Sequence, residues 1–152
     1  MSGSLSLQDN PTLEQIEAVQ AEALRLESEI GVQIPTWHHY ADGLVARTIF
    51  VPAGVVAFGA AHRFGQINIA HGDITVYCEG RVTRYTGFNV IPSGSGAKRQ
   101  GLAHQDTWWT TIHANPDNCR DERELERRFY EQPELMQTAR MDMPALEMEA
   151  FQ

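Results

Sequence analysis

Four histidines, His62, His71, His104 and His113, recur within one stretch running from about Arg47 to Ala114. Imidazole both ligates divalent transition metals and moves protons near neutral pH. One reading gathers His62, His104 and His113 around such a metal, with Gln66 as a weak oxygen ligand and water in the open positions. That set is poor in negative charge, since no carboxylate accompanies it. The competing reading puts His71 and His104 in turns and lets His113 hydrogen-bond inside a polar lumen with no metal. The cofactor therefore stays open between a divalent transition metal and none. A second chemistry centres on Arg99, beside Lys98. A guanidinium there suits bidentate bonding to the carboxylate or phosphate of a small ligand. Trp109 would stack on a ring of that ligand, and Asn68 or Thr111 would orient it. Arg99 could equally pair with Asp106 or Asp73 and only fix the rim.

These side chains need strands to aim them. Alternating patterns bounded by turn residues predict strands over Ala46 to Val51, Val55 to His62, Gln66 to Ala70, Asp73 to Cys78, Arg81 to Tyr85 and Phe88 to Ile91. Two more follow a Gly/Ser loop at Pro92 to Gly96, and turn signals arrive about every eight to twelve residues. Such spacing suits an all-β sandwich or barrel, without the helices that parallel crossovers require. Strand parity then sorts the candidates. Phe58, Ala60 and His62 share a face, as do Gln66, Asn68 and Ala70. Thr107, Trp109, Thr111 and His113 share another, leaving Trp108 and Ile112 on an outer face that needs covering. His38 and His39 point to opposite sides of any strand, so at most one joins a given site.

The flanks read differently. Met1 to Asn10 lacks periodicity and is expected to be disordered. Pro11 to about Ile34 predicts an N-terminal helix, opened by a Thr12 and Gln15 capping box with an apolar stripe from Leu13 to Ile30. Past the barrel stretch, at 116–152, Asp117 is placed to cap a charged helix through Glu122, Leu125, Arg128 and Phe129, stopped by Pro133. An acidic, Met-rich tail follows, either loose or an arm docking on a neighbouring subunit.

Composition excludes several classes. The 152 residues carry a formal charge of −8 and are 42% hydrophobic, which fits one globular domain and argues against nucleic acid or anionic membranes as partners. Cys78 and Cys119 lack metal or redox spacing and no apolar run suits a signal or a membrane span, so a cytoplasmic location is expected. The Gly94 and Gly96 loop fails the phosphate-loop pattern, and no Gly-x-Ser-x-Gly elbow supports nucleophilic catalysis.

The segments Phe50 to Gly54, Gly59 to His62, Ile67 to Val76, Pro92 to Arg99 and Asp106 to His113 together resemble the cupin superfamily. More narrowly, they resemble small cupin-like proteins of tailed bacteriophages, whose location would be the host cytoplasm. The resemblance spans about Trp37 to Asn115. It implies a cupin-like double-stranded β-helix (jelly roll) around a ligand-holding lumen, commonly as a homodimer. Metal-binding cupins carry two histidines and a glutamate in a first motif and one histidine in a second. Here His62 fits the first motif, but Gly65 or Gln66 stands where the glutamate belongs and Arg99 where the last histidine belongs. The resemblance also admits acid–base chemistry, with His62 or His113 as base and Tyr77 or Tyr85 as acid. The expectation is a small-molecule binding protein for an anionic metabolite or nucleotide-like ligand. The alternatives are a metal-dependent isomerase or oxygenase centred on His62, and a structural protein using the barrel as scaffold.

Overall fold

A computed structural model describes residues 33–133, 136 and 138–141, together with helical positions at Glu14 and Ala18. The rest of the expected N-terminal helix, the first ten residues and most of the Met-rich tail lie outside the described residues. Eight strands dominate: β1 (Ile34–Ala41), β2 (Leu44–Val51), β3 (Val56–Phe58), β4 (Gln66–Cys78), β5 (Arg81–Ser93), β6 (Arg99–Ala103), β7 (Thr107–Ala114) and β8 (Thr138–Arg140). One short helix, α1 (Glu122–Phe129), separates the last two. The chain is an all-β jelly roll, as its strand spacing and alternation predict. Its strands pair in the order β3-β6-β4-β7-β2-β1-β8, with β5 on the other edge of β4. Among the described residues no helix is long and apolar enough to cross a membrane.

Two pairs of expected strands are single strands. Gln66 to Ala70 and Asp73 to Cys78 run together as β4, and Arg81 to Tyr85 and Phe88 to Ile91 run together as β5. Gly72 and Gly87, which fall between those expected strands, face each other across the hairpin. Gly72 has φ 148°, and a Cβ there would lie 2.5 Å from Thr107 Oγ1 and 2.7 Å from the Asp106 carbonyl oxygen. Only glycine lets the β6–β7 connection approach this closely. At this bend β4 changes neighbour, pairing with β7 through Ile67 to His71 and with β6 through Ile74 to Cys78. The true turn of the hairpin is Glu79-Gly80, both at positive φ (52° and 76°), the conformation a two-residue hairpin loop demands.

Strand β3 stops at Phe58, short of the predicted His62. The chain from Gly59 to His62 leaves the ladder and is held by the start of β6 and the loop before it, with Gly59 N donating to Arg99 O (2.9 Å) and His62 N to Ala97 O (3.1 Å). Helix α1 is capped by Asp121, whose carboxylate accepts from Arg123 N (3.1 Å) and Glu124 N (3.2 Å). Asp117, the expected cap, instead pairs with Arg128 at 2.8 Å, because the cap must directly precede the first helical turn. The helix ends at Phe129, ahead of Pro133, and Tyr130 is extended and bridges to His62. Leu125, Phe129 and Tyr130 pack with Val45 and Ala60 into a core beneath the barrel. A second core, Ala70, Ile74, Val76 and Trp109, lies in the concave side of the sheet. Part of the tail returns to its own chain, Thr138–Arg140 pairing in parallel with β1. Arg140 then reaches Glu126 (2.5 Å) and Glu122 (3.4 Å) on α1.

Candidate functional site

The concave face of the sheet surrounds a cavity of about 720 Å³, its open mouth included. Parity holds along β7 but not from Ala57 to His62, where the chain leaves the ladder after Phe58 and Ala57 and Gly59 line the cavity too. Phe58, Ala60 and His62 line the cavity along with Ile49, Val51, Ile74, Val76, Trp109 and Thr111, and on β7 Thr107, Trp109, Thr111 and His113 are buried while their neighbours are half-buried.

At one end two imidazoles meet. His62 Nδ1 lies 3.3 Å from His113 Nε2, so one ring donates to the other. His113 stacks on Phe129 (centroids 4.2 Å apart, planes 3° apart), and Tyr130 sets its edge against both histidines. Burial, then the neighbouring His113, Arg99 and Arg47, lower the His62 pKa to about 3. Burial, then Arg47, lower that of His113 to about 4. Both rings are therefore neutral at pH 7, because a proton on either would be a poorly solvated cation among cations. Burial raises the Tyr130 phenol, keeping it protonated.

Beside these rings, one inward step along β7 from His113, the polar groups satisfy one another. Asn68, fully buried, accepts from Trp109 Nε1 (3.2 Å) and Thr111 Oγ1 (2.8 Å) at its Oδ1. Its Nδ2 donates to Ile91 O (3.4 Å) and Ser93 Oγ (3.3 Å). Two donors and two acceptor sites are the full capacity of a carboxamide. Ser93 Oγ also accepts from Arg99 Nη2. The Arg99 guanidinium lies 5.9 Å from the Trp109 ring centroid, within cation–π range. Arg99 Nη1 is buried with no hydrogen-bond partner.

Of the predicted ligand residues, Arg99, Trp109 and Thr111 line the cavity. Asn68 does not, and its role is to set the orientation of Trp109 and, through Ser93, of Arg99. Neither suggested rim partner holds Arg99: Asp73 pairs with Arg84 (2.9 and 2.8 Å) and Asp106 accepts from Ala53 N (3.0 Å). Of the predicted metal residues, the structure brings His62 and His113 together. Gln66, buried with both amide heteroatoms unpartnered, lies one register step past the last β4–β7 pair, Ile67 with Ile112, which sets it beside His113. His104 is elsewhere. It is exposed and its Nε2 lies 2.6 Å from Thr75 Oγ1. Thr75 alternates with the cavity-lining Ile74 and Val76, so this pair sits on the convex side. Among the described residues no group of three or more His, Cys, Asp or Glu is placed to hold a metal ion. Tyr77 also faces away from the lumen, and Tyr85 packs edge-on to Trp109 (6.2 Å). The tyrosine beside the histidines is Tyr130.

Three residues of the site escaped the sequence. Arg47 carried a signal, a cation in phase with Ile49 and Val51 on β2. Tyr130 lies beyond the barrel stretch, at the end of an amphipathic helix whose docking place the sequence does not state. Ser93 looked like one more hydroxyl in a loop.

No family model and no curated protein matches the chain. Among solved structures, the chain is similar to an RmlC-like cupin from Shewanella frigidimarina (15% identity, TM-score 0.44, covering 55% of this chain and 73% of that one). It is similar also to KdgF from Halomonas sp. (18%, TM-score 0.45, 56% and 77%). A third is an RmlC-like cupin family protein with a double-stranded β-helix fold from Methanocaldococcus jannaschii (13%, TM-score 0.47, 55% and 83%). At these identities the likeness is one of strand arrangement and says nothing about activity.

Proposed function

We propose that the protein binds a small anion with an apolar body inside this lumen. The charge of the cavity wall carries the reading. Arg47 and Arg99 line it, no described lining residue is a carboxylate, and His62 is neutral, in a chain whose formal charge is −8. A net acidic protein that turns cations inward offers an anion a partner where few water molecules compete. Arg99 is the better anchor, since Ser93 and Trp109 fix its plane and leave Nη1 unbonded. Ile49, Val51, Phe58 and Val76 suit an apolar body. The test is equilibrium binding of phenyl phosphate against its neutral relative benzyl alcohol. A hydrogen bond to a charged group predicts that Arg99→Gln weakens phenyl phosphate about tenfold to a hundredfold and leaves benzyl alcohol unchanged. Equal phenyl phosphate affinity in wild type and variant would sink the proposal.

A catalytic reading rests on the His62–His113 contact. His62 is neutral on the cavity wall and can accept a proton, as a weak base because burial disfavours its cation. The 3.3 Å separation also matches about 3.3 Å between two nitrogens bonded at 2.0–2.1 Å to a tetrahedral metal. Such a metal would rest on two histidines and the Gln66 amide, a thin set for a divalent ion. Metal analysis of wild type and of His62→Ala and His113→Ala tests it. Near-stoichiometric metal lost in both variants favours this reading, and unchanged trace metal in all three removes its metal form.

A further inference from the structure

The lumen does not end at Arg99. A second, wider hollow of about 880 Å³, open to solvent, abuts the first, and Val76 and Arg99 line both. One wall is the far end of the β4–β5 hairpin and the other is the segment from Pro92 to Arg99. Register makes this a continuation of the same concave face: Ile74 stands opposite Tyr85, Val76 opposite Thr83 and Cys78 opposite Arg81, and Tyr85, Thr83 and Arg81 all line the outer hollow. The two hollows differ in chemistry. The inner one is walled by Ile49, Val51, Phe58 and Trp109, the outer by Glu79, Arg81, Thr83, Ser93 and Ser95. Arg99 stands between them, roped to Ser93 of the outer rim by Nη2 and laid toward Trp109 of the inner chamber.

A ligand with its charge at one end would fill only the inner chamber. The partition places the anion-binding group in the middle, with an apolar room on one side and a room of hydroxyls and mixed charge on the other. Building on the proposed anion-binding function, we propose that the ligand is a tripartite molecule of the phosphodiester type. It has an apolar group for the inner chamber, a central monoanion at Arg99, and a polar, hydroxyl-bearing extension lying in the outer hollow against Arg81 and Thr83. The outer hollow supplies both charges, from Glu79 and Arg81, which favours a neutral polar extension over a second anion.

Three monoanionic phosphodiesters test this on the full chain: methyl 4-nitrophenyl phosphate, the 4-nitrophenyl ester of thymidine 5′-monophosphate, and the methyl ester of thymidine 5′-monophosphate. The expected result is that the aryl nucleotide diester binds about tenfold or more tighter than either of the others, since each of them leaves one chamber empty. In Thr83→Trp, which fills the outer hollow, the aryl nucleotide should lose its advantage over methyl 4-nitrophenyl phosphate. Circular dichroism confirms that the variant folds, and Arg81→Ala serves as a second probe of the same wall. An aryl nucleotide no tighter than methyl 4-nitrophenyl phosphate, or an advantage that survives both variants, overturns the tripartite ligand while leaving the anion-binding reading standing. Failure of all three probes to bind wild type overturns both.

Discussion

Two neighbouring polar clusters, one around Asn68 and one around His62, handle polar atoms in opposite ways. Around Asn68 every carboxamide position is bonded, to Trp109, Thr111, Ile91 and Ser93, and all four partners stand on paired strands. Around His62 the groups come from three places, a segment that has left its ladder, the end of β7 and the residue after α1, and two neutral imidazoles share one contact. The first arrangement is architecture, since a saturated group has nothing left for a ligand. The second, with the unbonded Nη1 of Arg99 between the two, holds unused bonding capacity. Function is to be sought where hydrogen-bonding potential is left over rather than where it is most elaborate.

Acid separates the two clusters most sharply. The folded pKa values of His62 and His113, about 3 and about 4, lie below the unfolded imidazole value, so the unfolded chain takes up protons first as pH falls. The stability they contribute is fully present above about pH 6.5 and is lost on acidification towards pH 3 to 4. From pH 7 to pH 5 the loss is about 2 kcal/mol for each ring. Urea unfolding at the two pH values should show it, and His62→Gln with His113→Asn should remove that share, while His38, whose pKa burial also lowers to about 3, keeps its own. An equally steep dependence in that double variant would mean that the imidazole corner is not the acid-sensitive cluster.

Asn68→Ala attacks the saturated cluster. Removing one residue strands the Trp109 indole N–H and the Thr111 hydroxyl, while Ser93 keeps Arg99, at about 3 kcal/mol, with no change in the pH slope. A loss under about 1 kcal/mol would show that the network is not the support described. Smallest in stability is Arg99→Gln, expected to cost about 1 kcal/mol or less while carrying the largest change in anion binding. A variant that unfolds would reverse the assignment of Arg99 as ligand group rather than strut.

The sequence made one half of this comparison legible. A face buried on one side imposes a period of two, so the inward set of Trp109, Thr111 and His113 could be sorted without coordinates. Parity does not say which end of a strand meets which, and so His104 was grouped with histidines that lie across the sheet from it. Nor does it reveal saturation: Asn68 looked like a ligand contact because a sequence shows donors and acceptors but not their partners. The breaks expected after Ala70 and Tyr85 do not occur, because a glycine required by close approach and a glycine required by a turn look the same in one dimension. Tyr130 depended on where α1 docks, which is a tertiary matter.

The change of neighbour at Gly72 divides one strand between two loyalties. Residues before the bend answer to β7 and the Asn68 network, and residues after it answer to β6 and the outer hollow. The core of Ala70, Ile74, Val76 and Trp109, with Tyr85 packed against it, ties the two halves together, and residues beyond it towards the tip vary with less consequence for the near half. In evolutionary and engineering terms the hairpin tip is an exchangeable module. Arg81, Thr83 and their neighbours can be rewritten for a new extension while the inherited anchor at Arg99 and its scaffold stay as they are.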